Sequence, residues 1–430
     1  WTKEKNEKQE IYKQTYARKR NNFRIMSCAK TELCIFDSAL PQVVVDSTSF
    51  EEIYPINALE GRSDIQFTIV GSNTDYLDLN DTLLSVSVKV MAEDGKPLAD
   101  NADVVPSNYF FHTLFKDVIL TMNNEVIEGG NNVYAQKALI ETILNYGNDT
   151  KEVYLDSIGY EDSTNERKGW IAKSKVFQMC GSLQLDFFDQ PKYLIPGVSV
   201  TLRLKRNESK FCLKSTQKPK LQITEARLYV RRVKVEQSVL MGHEIGLNKQ
   251  NAHYPIRKCL LVSYTMATGT QNFYKDQIFG DERLPKFVLV TFQTAAQKNG
   301  DYGSDSSTFK NFSASSVTLS RTSDYRECYL QNFDTNQYIT SYVQSIIRNL
   351  GHLDKNINCG ITPDLFKSDY PFFTFVLAPD FDTFTTQLPK QGNLRLDVKF
   401  DNALDKPGVV HVYGVFDSEI QINKNRTIIQ

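Results

Sequence analysis

One pattern occurs twice in the chain and limits the folds that it can adopt. In residues 116–147, apolar residues alternate along a predicted strand, Asn123 and Asn124 form a predicted tight turn, and a return strand and a helix follow. Residues 315–351 have the same strand, turn, strand and helix in the same order. The two copies lie roughly 200 positions apart, close to half of the chain, which indicates an internal duplication.

The helix of each copy is predicted from its caps and from its apolar spacing. In the first copy, Asn132 is the predicted N-cap and Gly147 the predicted left-handed end. In the second copy, the helix is predicted to start near Asp334, where Gln337 completes a capping box, and to end at Gly351. Each helix therefore follows directly on a β-hairpin.

Further predicted strands repeat at nearly the same offset. Three matching pairs are residues 182–188 and 372–378, 197–205 and 392–400, and 221–235 and 408–422. Alternating apolar residues predict additional strands at residues 43–45, 50–54, 64–71, 82–91, 258–266 and 285–294. Short strands of this kind favour antiparallel sandwiches over a parallel sheet.

The predicted fold class is all-β, with two tandem eight-stranded jelly-roll β-sandwiches and one helix inserted after a β-hairpin in each. Eight strands per copy is the strand number of a jelly roll, whereas an immunoglobulin-type sandwich has seven strands and usually needs only about 100 residues. The predicted domains are a basic N-terminal arm at residues 1–40, a first jelly roll at 41–240 and a second at 241–430. Residues 236–253 are the predicted joint between the sandwiches.

The N-terminal segment differs in charge from the rest of the chain. Residues 1–24 carry eight basic and three acidic side chains, although the formal net charge of the whole protein is −1. Basic segments of this kind bind phosphate backbones or connect neighbouring subunits, and a solvated end without a function is the alternative. The predicted interaction residues of this arm are Lys13, Arg18, Lys19, Arg20 and Arg24.

The sequence contains none of the GxSxG, GxxxxGK[ST], GxGxxG and HExxH motifs, and no enzyme activity is predicted. His243 and His253 lie in the joint and could share a metal, but hydrogen-bonded or solvated roles are favoured. Asp75, Asp78 and Asp81 have a spacing that could hold calcium, but an acidic turn explains them without an ion. A structural role is also preferred for Asp301, Asp305, Asp380 and Asp382. We therefore predict no cofactor and no metal.

Two compositional features concern the environment of the protein. Seven cysteines without Cys-x-x-Cys spacing predict reduced, buried thiols in a protein that is assembled inside a cell. The longest apolar run, residues 370–379, is about half as long as a membrane helix, and the N-terminus is polar. Neither membrane insertion nor a secretory signal is predicted.

Three segments resemble a known family. NNVYAQKALIETILNYG at residues 131–147 is similar to the segment N-x-x-P-Y-x-A-Y-I-E-T-L-L-x-Y-G of major capsid proteins of Polinton/Maverick elements and adintoviruses. LFKDVILTMNNEVIE resembles the hairpin before that segment, and GVVHVYGVFDSEIQINKNRTI resembles the closing strand. The order of elements matches over most of residues 45–425. Val133 stands where the family usually has proline, and residues 136–138 depart from its aromatic pattern.

The resemblance implies a double jelly-roll major capsid protein of the lineage that includes adenovirus hexon. Such proteins form homotrimers, which are pseudo-hexagonal capsomers that tile an icosahedral shell around DNA. The implied partners are neighbouring capsomers, penton and other minor capsid proteins, and DNA, which the N-terminal arm would contact. The implied location is the virion, after assembly inside the host cell.

Four long loops are predicted to lie at the outer face of the shell or in trimer contacts, namely residues 91–108, 148–180, 295–313 and 352–370. Two other classes of protein stay open at this point. One is a carbohydrate-binding or adhesive β-sandwich protein, which predicts a monomer or a small oligomer. The other is a hydrolase or another enzyme on a β-scaffold, which predicts a deep pocket with clustered acids or histidines.

Overall fold

The strands of the protein follow the predicted duplication. The structure is a computed structural model, and it describes residues 44–61, 64–99, 102–147, 150–280, 283–321, 328–332, 338–351, 359–378 and 391–430. Within these ranges all strand pairings between the named strands whose register is defined are antiparallel. Asp46–Gln430 form one compact unit, and nearly all of the other unit, Trp1–Val45, lies outside the described residues.

The described residues of the first half of the chain contain ten strands. In chain order they are β1 (Val45–Ile53), β2 (Ile65–Ile69), β3 (Asp75–Met91), β4 (Val104–Pro106), β5 (Phe115–Met122), β6 (Glu125–Glu128), β7 (Phe177–Gly181), β8 (Val200–Arg206), β9 (Leu213–Ser215) and β10 (Lys220–Val235). Eight of them form two four-stranded sheets, with the orders β1-β10-β3-β7 and β2-β8-β5-β6. Strands β4 and β9 form a separate two-stranded sheet.

The second half contains nine strands within the described residues. They are β11 (Ala252–Met266), β12 (Asn272–Lys275), β13 (Phe287–Thr294), β14 (Ala314–Arg321), β15 (Cys328–Asn332), β16 (Phe373–Val376), β17 (Leu394–Phe400), β18 (Gly408–Ile422) and β19 (Ile428–Ile429). Their sheets have the orders β11-β18-β13-β16 and β12-β17-β14-β15, and β19 extends the first of them beside β18.

The two halves have the same topology. Numbering the eight sheet strands of each half from one to eight gives the order 1-8-3-6 for one sheet and 2-7-4-5 for the other, in both halves. This arrangement is the eight-stranded jelly roll, so the predicted fold class is confirmed. The core consists of alternate apolar residues of the two sheets, such as Phe67, Val86 and Leu202 in the first half and Val290 and Val398 in the second, all 0–1% exposed.

Short helices connect the strands. Within the described ranges they are α1 (Phe110–Thr113), α2 (Tyr134–Asn145), α3 (Thr164–Ile171), α4 (Ser209–Cys212), α5 (Gln237–Leu247), α6 (Ala295–Asn299), α7 (Ile339–Tyr342) and α8 (Pro363–Ser368). Lys151–Leu155 and Val343–Arg348 form π-helical turns, and Ala172–Ser174 form a 3₁₀ turn. Helix α5 occupies the predicted joint, and the predicted domain boundary at residues 240 and 241 falls inside it and stays a prediction.

The first hairpin has the predicted turn, but the helix that follows it begins and ends differently from the prediction. Asn123 and Asn124 have φ values of 45° and 73°, as a type I′ turn requires. The predicted N-cap is wrong, because Asn132 has φ 55° and the residue at the cap is Val133, whose side chain makes no capping bond. The predicted left-handed end is also wrong, because the helix stops at Tyr146, whose backbone is extended. Packing determines both ends, since Tyr134–Ile143 are buried on every side.

The second hairpin and helix follow the prediction where they are described. Strand β14 pairs with β15, and α7 continues into a π-helical turn before Gly351, which has φ 70° as predicted for the end of the helix. Asp334 and Gln337 lie outside the described residues.

Two further predictions about the first half are wrong. Residues 182–188 form no strand, although Leu183, Leu185 and Phe187 are buried, because β7 already occupies that edge of the sheet and the next residues pack against the second half. The acidic turn predicted at Asp75 is instead the start of β3. Its acidic residues pair across the sheet, and Arg231 donates to both Asp78 and Asp81, at 3.4 and 3.1 Å.

Candidate functional site: the surfaces that join the two sandwiches

The two jelly rolls meet along a surface that we call the seam. The first half contributes α2 and residues 183–195, and the second half contributes β11 and β18. The Tyr254 hydroxyl of β11 donates to the Tyr193 carbonyl and accepts from the Ile195 backbone N–H, each at 3.1 Å, and its ring packs against Phe187. At one border of the seam, Arg257 pairs with Asp189 at 2.8 Å. The sandwiches are therefore joined through specific polar contacts as well as through apolar packing.

A cluster of charged side chains, which we call the charge cluster, lies buried in the seam. It consists of Glu128, Lys137, Glu141 and Asp186. Lys137 Nζ lies 2.5 Å from Glu128 Oε1, 2.7 Å from Asp186 Oδ1 and 3.8 Å from Glu141 Oε1. One lysine therefore faces three carboxylates in a region with little access to water.

Both halves complete the charge cluster. The Cys259 backbone N–H of β11 donates to Asp186 Oδ2 at 2.8 Å, and the Tyr413 hydroxyl of β18 donates to Glu141 Oε1 at 3.0 Å. The Asp186 backbone N–H donates to Glu128 Oε2 at 2.7 Å. Because residues of the second half satisfy carboxylates of the first, the cluster fixes how the two sandwiches meet.

Burial shifts the protonation of this cluster. Burial raises the pKa of Glu141 to about 8, against the lowering effect of Lys137, and it also raises the pKa of Glu128. Burial alone would lower the pKa of Lys137, but the carboxylates of Asp186, Glu128 and Glu141 hold it well above its usual range. At neutral pH the charge cluster therefore retains a charged lysine together with a protonated carboxyl group.

A metal ion in the charge cluster would compete with the ammonium group of Lys137. Ligand atoms of Glu141, Asp186 and Cys259 lie within 4.8 Å of one another, a spacing that could hold an ion. Lys137 already supplies a cation to two of these groups. Burial strongly raises the pKa of the Cys259 thiol, which disfavours the thiolate that a metal needs. We therefore assign a structural role to the charge cluster.

The predicted long loops meet at one end of the molecule. One cleft of about 950 Å³, the loop-end cleft, is lined by residues of all four loops, among them Asn108, Tyr160, Asp305 and Tyr370. The Asn108 backbone N–H donates to Ser307 Oγ at 3.1 Å, and this bond connects the two halves. The loops are therefore not split between opposite ends, although their position relative to a shell stays a prediction.

Most residues that the sequence singled out have structural partners. His243 Nδ1 lies 2.6 Å from the Tyr76 hydroxyl, and His253 Nδ1 lies 2.9 Å from Glu419 Oε1, so the favoured hydrogen-bonded roles are confirmed. Asp305 pairs with Arg167 across the halves at 3.3 Å. Several predicted positions lie outside the described residues, namely Lys13, Arg18, Lys19, Arg20, Arg24, Asp380 and Asp382.

The charge cluster is not among the sites predicted from the sequence. Its only local signal is Lys137 and Glu141, which are four residues apart on an otherwise apolar helix face, a spacing that places them side by side. The other members and their partners are far away in sequence. Four cysteines have described side chains and all four are free thiols; Cys212 and Cys359 are buried as predicted, whereas Cys180 and Cys259 are half-buried. Among the described residues no helix is both long and apolar enough to span a membrane.

Two jelly rolls of equal strand order, joined along a buried seam in one chain, define the double jelly-roll class. This is the fold of virophage and large-virus major capsid proteins, and the predicted resemblance is confirmed at the level of the fold. The Sputnik virophage structure matches with a TM-score of 0.64 and 11% identity, over 95% of this chain and 92% of that chain. VP54 of PBCV-1 has a TM-score of 0.59 and 12% identity, over 92% and 99%.

Two further comparisons extend this result. The mavirus major capsid protein has a TM-score of 0.52 and 10% identity, over 95% of both chains. An uncharacterised protein of Caenorhabditis elegans is 23% identical over 413 residues, which are 90% of this chain and 98% of that protein. No protein-family profile matches the chain.

Proposed function

We propose that the protein is a structural major capsid protein and has no enzymatic role. The observation that supports this proposal is the pair of jelly rolls of equal strand order in one chain, because mavirus and Faustovirus major capsid proteins have the same fold. Three such chains would place six similar sandwiches around one axis. The proposed capsomer is therefore a pseudo-hexagonal homotrimer, and its proposed role is to tile an icosahedral shell that encloses DNA.

Exposed apolar side chains on β1 and just after it support contacts between copies. Phe50, Tyr54 and Ile56 are 56%, 59% and 62% exposed, and β1 is an edge strand of its sheet. Exposed apolar groups that cluster on one surface commonly mark sites of association. Obligate interfaces typically bury more than roughly 2,000 Å², so these residues would be part of a larger contact.

The remaining parts of the proposal follow from the resemblance. The proposed partners are neighbouring capsomers, penton and other minor capsid proteins, and DNA, which the basic segment at residues 1–40 would contact. The proposed location is the virion, after assembly inside the host cell, and the proposed lineage is the Polinton/Maverick and adintovirus type. The jelly rolls would correspond to residues 41–240 and 241–430.

The mass of the purified protein in solution tests this proposal. Light scattering coupled to size-exclusion chromatography should give a trimer of the 49.2 kDa chain or larger shells, and electron micrographs should show hexagonal outlines. A stable monomer at all concentrations would contradict the proposal and favour a carbohydrate-binding or adhesive sandwich.

A further inference from the structure

A second cleft between the two halves has an unusual charge. It has a volume of about 610 Å³, and both halves line it. We call it the basic cleft, because its charged side chains are Lys116, Arg206, Lys210 and Lys298 against the single acid Glu208. Glu208 is engaged with Lys210 at 3.0 Å. The described lining therefore has an excess of three positive charges.

The rest of the lining supplies neutral hydrogen-bonding groups. Five amide side chains line the cleft, namely Asn131, Asn132, Gln136, Asn207 and Asn299. Each side-chain amide has two N–H donors. Asn207 already donates to the Thr113 carbonyl at 2.9 Å and Gln136 to the Lys298 carbonyl at 3.4 Å, which leaves one N–H on each of these two amides. Donors and cations around one concave site favour a ligand with several acceptor oxygens.

Arg206 is a partly buried cation without a carboxylate partner. Its Nη1 and Nη2 donate to the backbone carbonyls of Gly61 and Leu59, each at 3.0 Å. These neutral acceptors hold the guanidinium in place, and no ion pair of Arg206 is found among the described residues. The carboxylate that acts on it electrostatically, Asp64, is itself paired with Arg203 at 2.7 Å and compensates the Arg206 charge only in part. The side chain is thus fixed at the cleft while its charge stays available.

Lys298 of the second half is half-buried and makes no ion pair with any described residue. This differs from two better-buried lysines: Lys137 lies in the charge cluster, and Lys286 Nζ lies 2.6 Å from Asp417. Burial of a charge without a partner costs free energy, which a bound anion would offset. Burial lowers the pKa of both Lys298 and Arg206. Among the described lysines and arginines, a lowered pKa is found for these two residues alone.

We propose that the basic cleft binds a doubly charged tetrahedral oxyanion, a phosphate or sulfate group. Three excess positive charges suit a dianion better than a single carboxylate, and the arginine, lysine and amide donors match four acceptor oxygens. Lys298 joins the site from the second jelly roll, so the site exists only when the two sandwiches are assembled. The proposal does not depend on the proposed capsid function.

Titration of the full-length protein with inorganic phosphate and with inorganic sulfate, at low ionic strength, tests the site. Isothermal calorimetry should show saturable binding of either anion, and chloride at equal ionic strength should show none. A sulfated disaccharide and a nucleoside monophosphate then distinguish the source of the group. Binding of either ester supports the site and identifies whether it accepts a sulfated sugar or a phosphate ester.

Variants of Lys298 make the test specific. Lys298→Gln should weaken phosphate binding by at least about tenfold, because it removes one charge-assisted contact. Lys298→Arg, which keeps the charge, should restore most of the affinity. Lys89→Gln is the matched control, since Lys89 is also half-buried, makes no ion pair with described residues and lies outside the basic cleft; it should bind like the wild type.

Two results would overturn the proposal. One is the absence of saturable binding of both anions to the wild type, and the other is equal affinity of the wild type and Lys298→Gln. If Lys298→Gln does not fold, Lys210→Gln replaces it, because the Lys210 side chain is 44% exposed and its loss should leave the fold intact. Unchanged affinity in that variant and in Lys116→Gln would equally count against the site.

Discussion

At the scale of single residues, Lys137 has the most demanding position in the described structure. Its side chain is 8% exposed and faces three carboxylates, two of them within 2.7 Å. Removal of one partner from a buried ionic group leaves the others uncompensated, which costs more than the intact group contributes. The stability of the seam therefore depends strongly on this one ammonium group.

Lys137→Met should destabilise the protein by about 3–5 kcal/mol, because it leaves the buried carboxylates without a cation. Urea denaturation of the purified protein measures this change. Lys168→Met is the matched control: Lys168 pairs with Asp103 at 2.7 Å, but the two side chains are 37% and 58% exposed, and its loss should cost less than about 1 kcal/mol. Similar losses for both variants would show that the cluster contributes little.

The charge cluster also predicts a pH dependence. Burial raises the pKa of Glu141 to about 8 in the folded protein, so between its ordinary value and about 8 the folded state binds a proton that the unfolded state lacks. Stability should then be greatest below the ordinary pKa and should fall as the pH rises to about 8, by up to about 1.4 kcal/mol per pH unit.

Glu141→Gln tests this dependence, because glutamine cannot ionise. Denaturation between pH 5 and 9, about the range of the expected change, should show a flatter decline for the variant than for the wild type. Glu125→Gln changes an exposed carboxylate on the adjacent hairpin and should keep the wild-type slope. Parallel slopes for Glu141→Gln and the wild type would contradict the assignment of the proton to this site.

At the scale of elements, the first hairpin shows which features are local. The turn residues Asn123 and Asn124 have the positive φ values that their sequence predicts, because asparagine tolerates this region. They differ in their side chains: Asn123 accepts from the Ser199 backbone N–H and donates to the Arg426 carbonyl, both at 2.9 Å, whereas Asn124 makes no side-chain hydrogen bond to described residues. The turn therefore also connects the hairpin to the C-terminal segment.

Glycine at each turn position separates backbone from side-chain effects. Asn124→Gly should change stability by no more than about 0.5 kcal/mol, because glycine adopts the same φ. Asn123→Gly should cost about 1–3 kcal/mol, because it removes two hydrogen bonds. Thermal unfolding of both variants measures the difference, and equal effects would mean that the side chain of Asn123 is dispensable.

Secondary-structure elements are predictable from the sequence where a local pattern determines them. The long alternating strands β3, β10 and β18 lie at or near their predicted positions, because alternation is a property of one strand facing one core. The segment at residues 182–188 alternates as well, but its apolar residues are buried without a sheet, and Phe187 packs against Tyr254 of the second half. Neither the ends of α2 nor the charge cluster could be predicted, because their partners lie up to 272 positions away.

At the scale of the whole molecule, the repeated strand order was predictable and the joining of the halves was not. Offsets between patterns reveal a duplication, since each jelly roll has its own alternation. The seam depends on which surfaces face each other, and periodicity contains no signal for that. The loop-end cleft is predictable only in part. The sequence predicts the long loops, but only the structure shows that they converge on one cleft.

Deletion of residues 1–24 tests the proposed role of the basic segment. The truncated protein should fold and form trimers as the full chain does, because the strands of the described sandwiches begin at Val45, but it should close fewer shells. Light scattering measures the trimer, and electron microscopy of assembly reactions counts closed particles. The control is the deletion of residues 1–10, which leaves Lys13, Arg18, Lys19, Arg20 and Arg24 in place and should assemble normally. Unchanged shell closure in both deletions would contradict a role of the basic segment in assembly.

The charge cluster takes its helix from one sandwich and its supporting sheet from the other, so the two sandwiches have unequal tasks despite their common topology. A ring of three chains would look almost unchanged after one-sixth of a turn, yet it would then offer different side chains to each neighbour. A capsomer placed in that wrong rotation would match the outline of its position, but its side chains would not match those of its neighbours. In the proposed shell, this difference would favour the release of a wrongly rotated capsomer while its contacts are still weak.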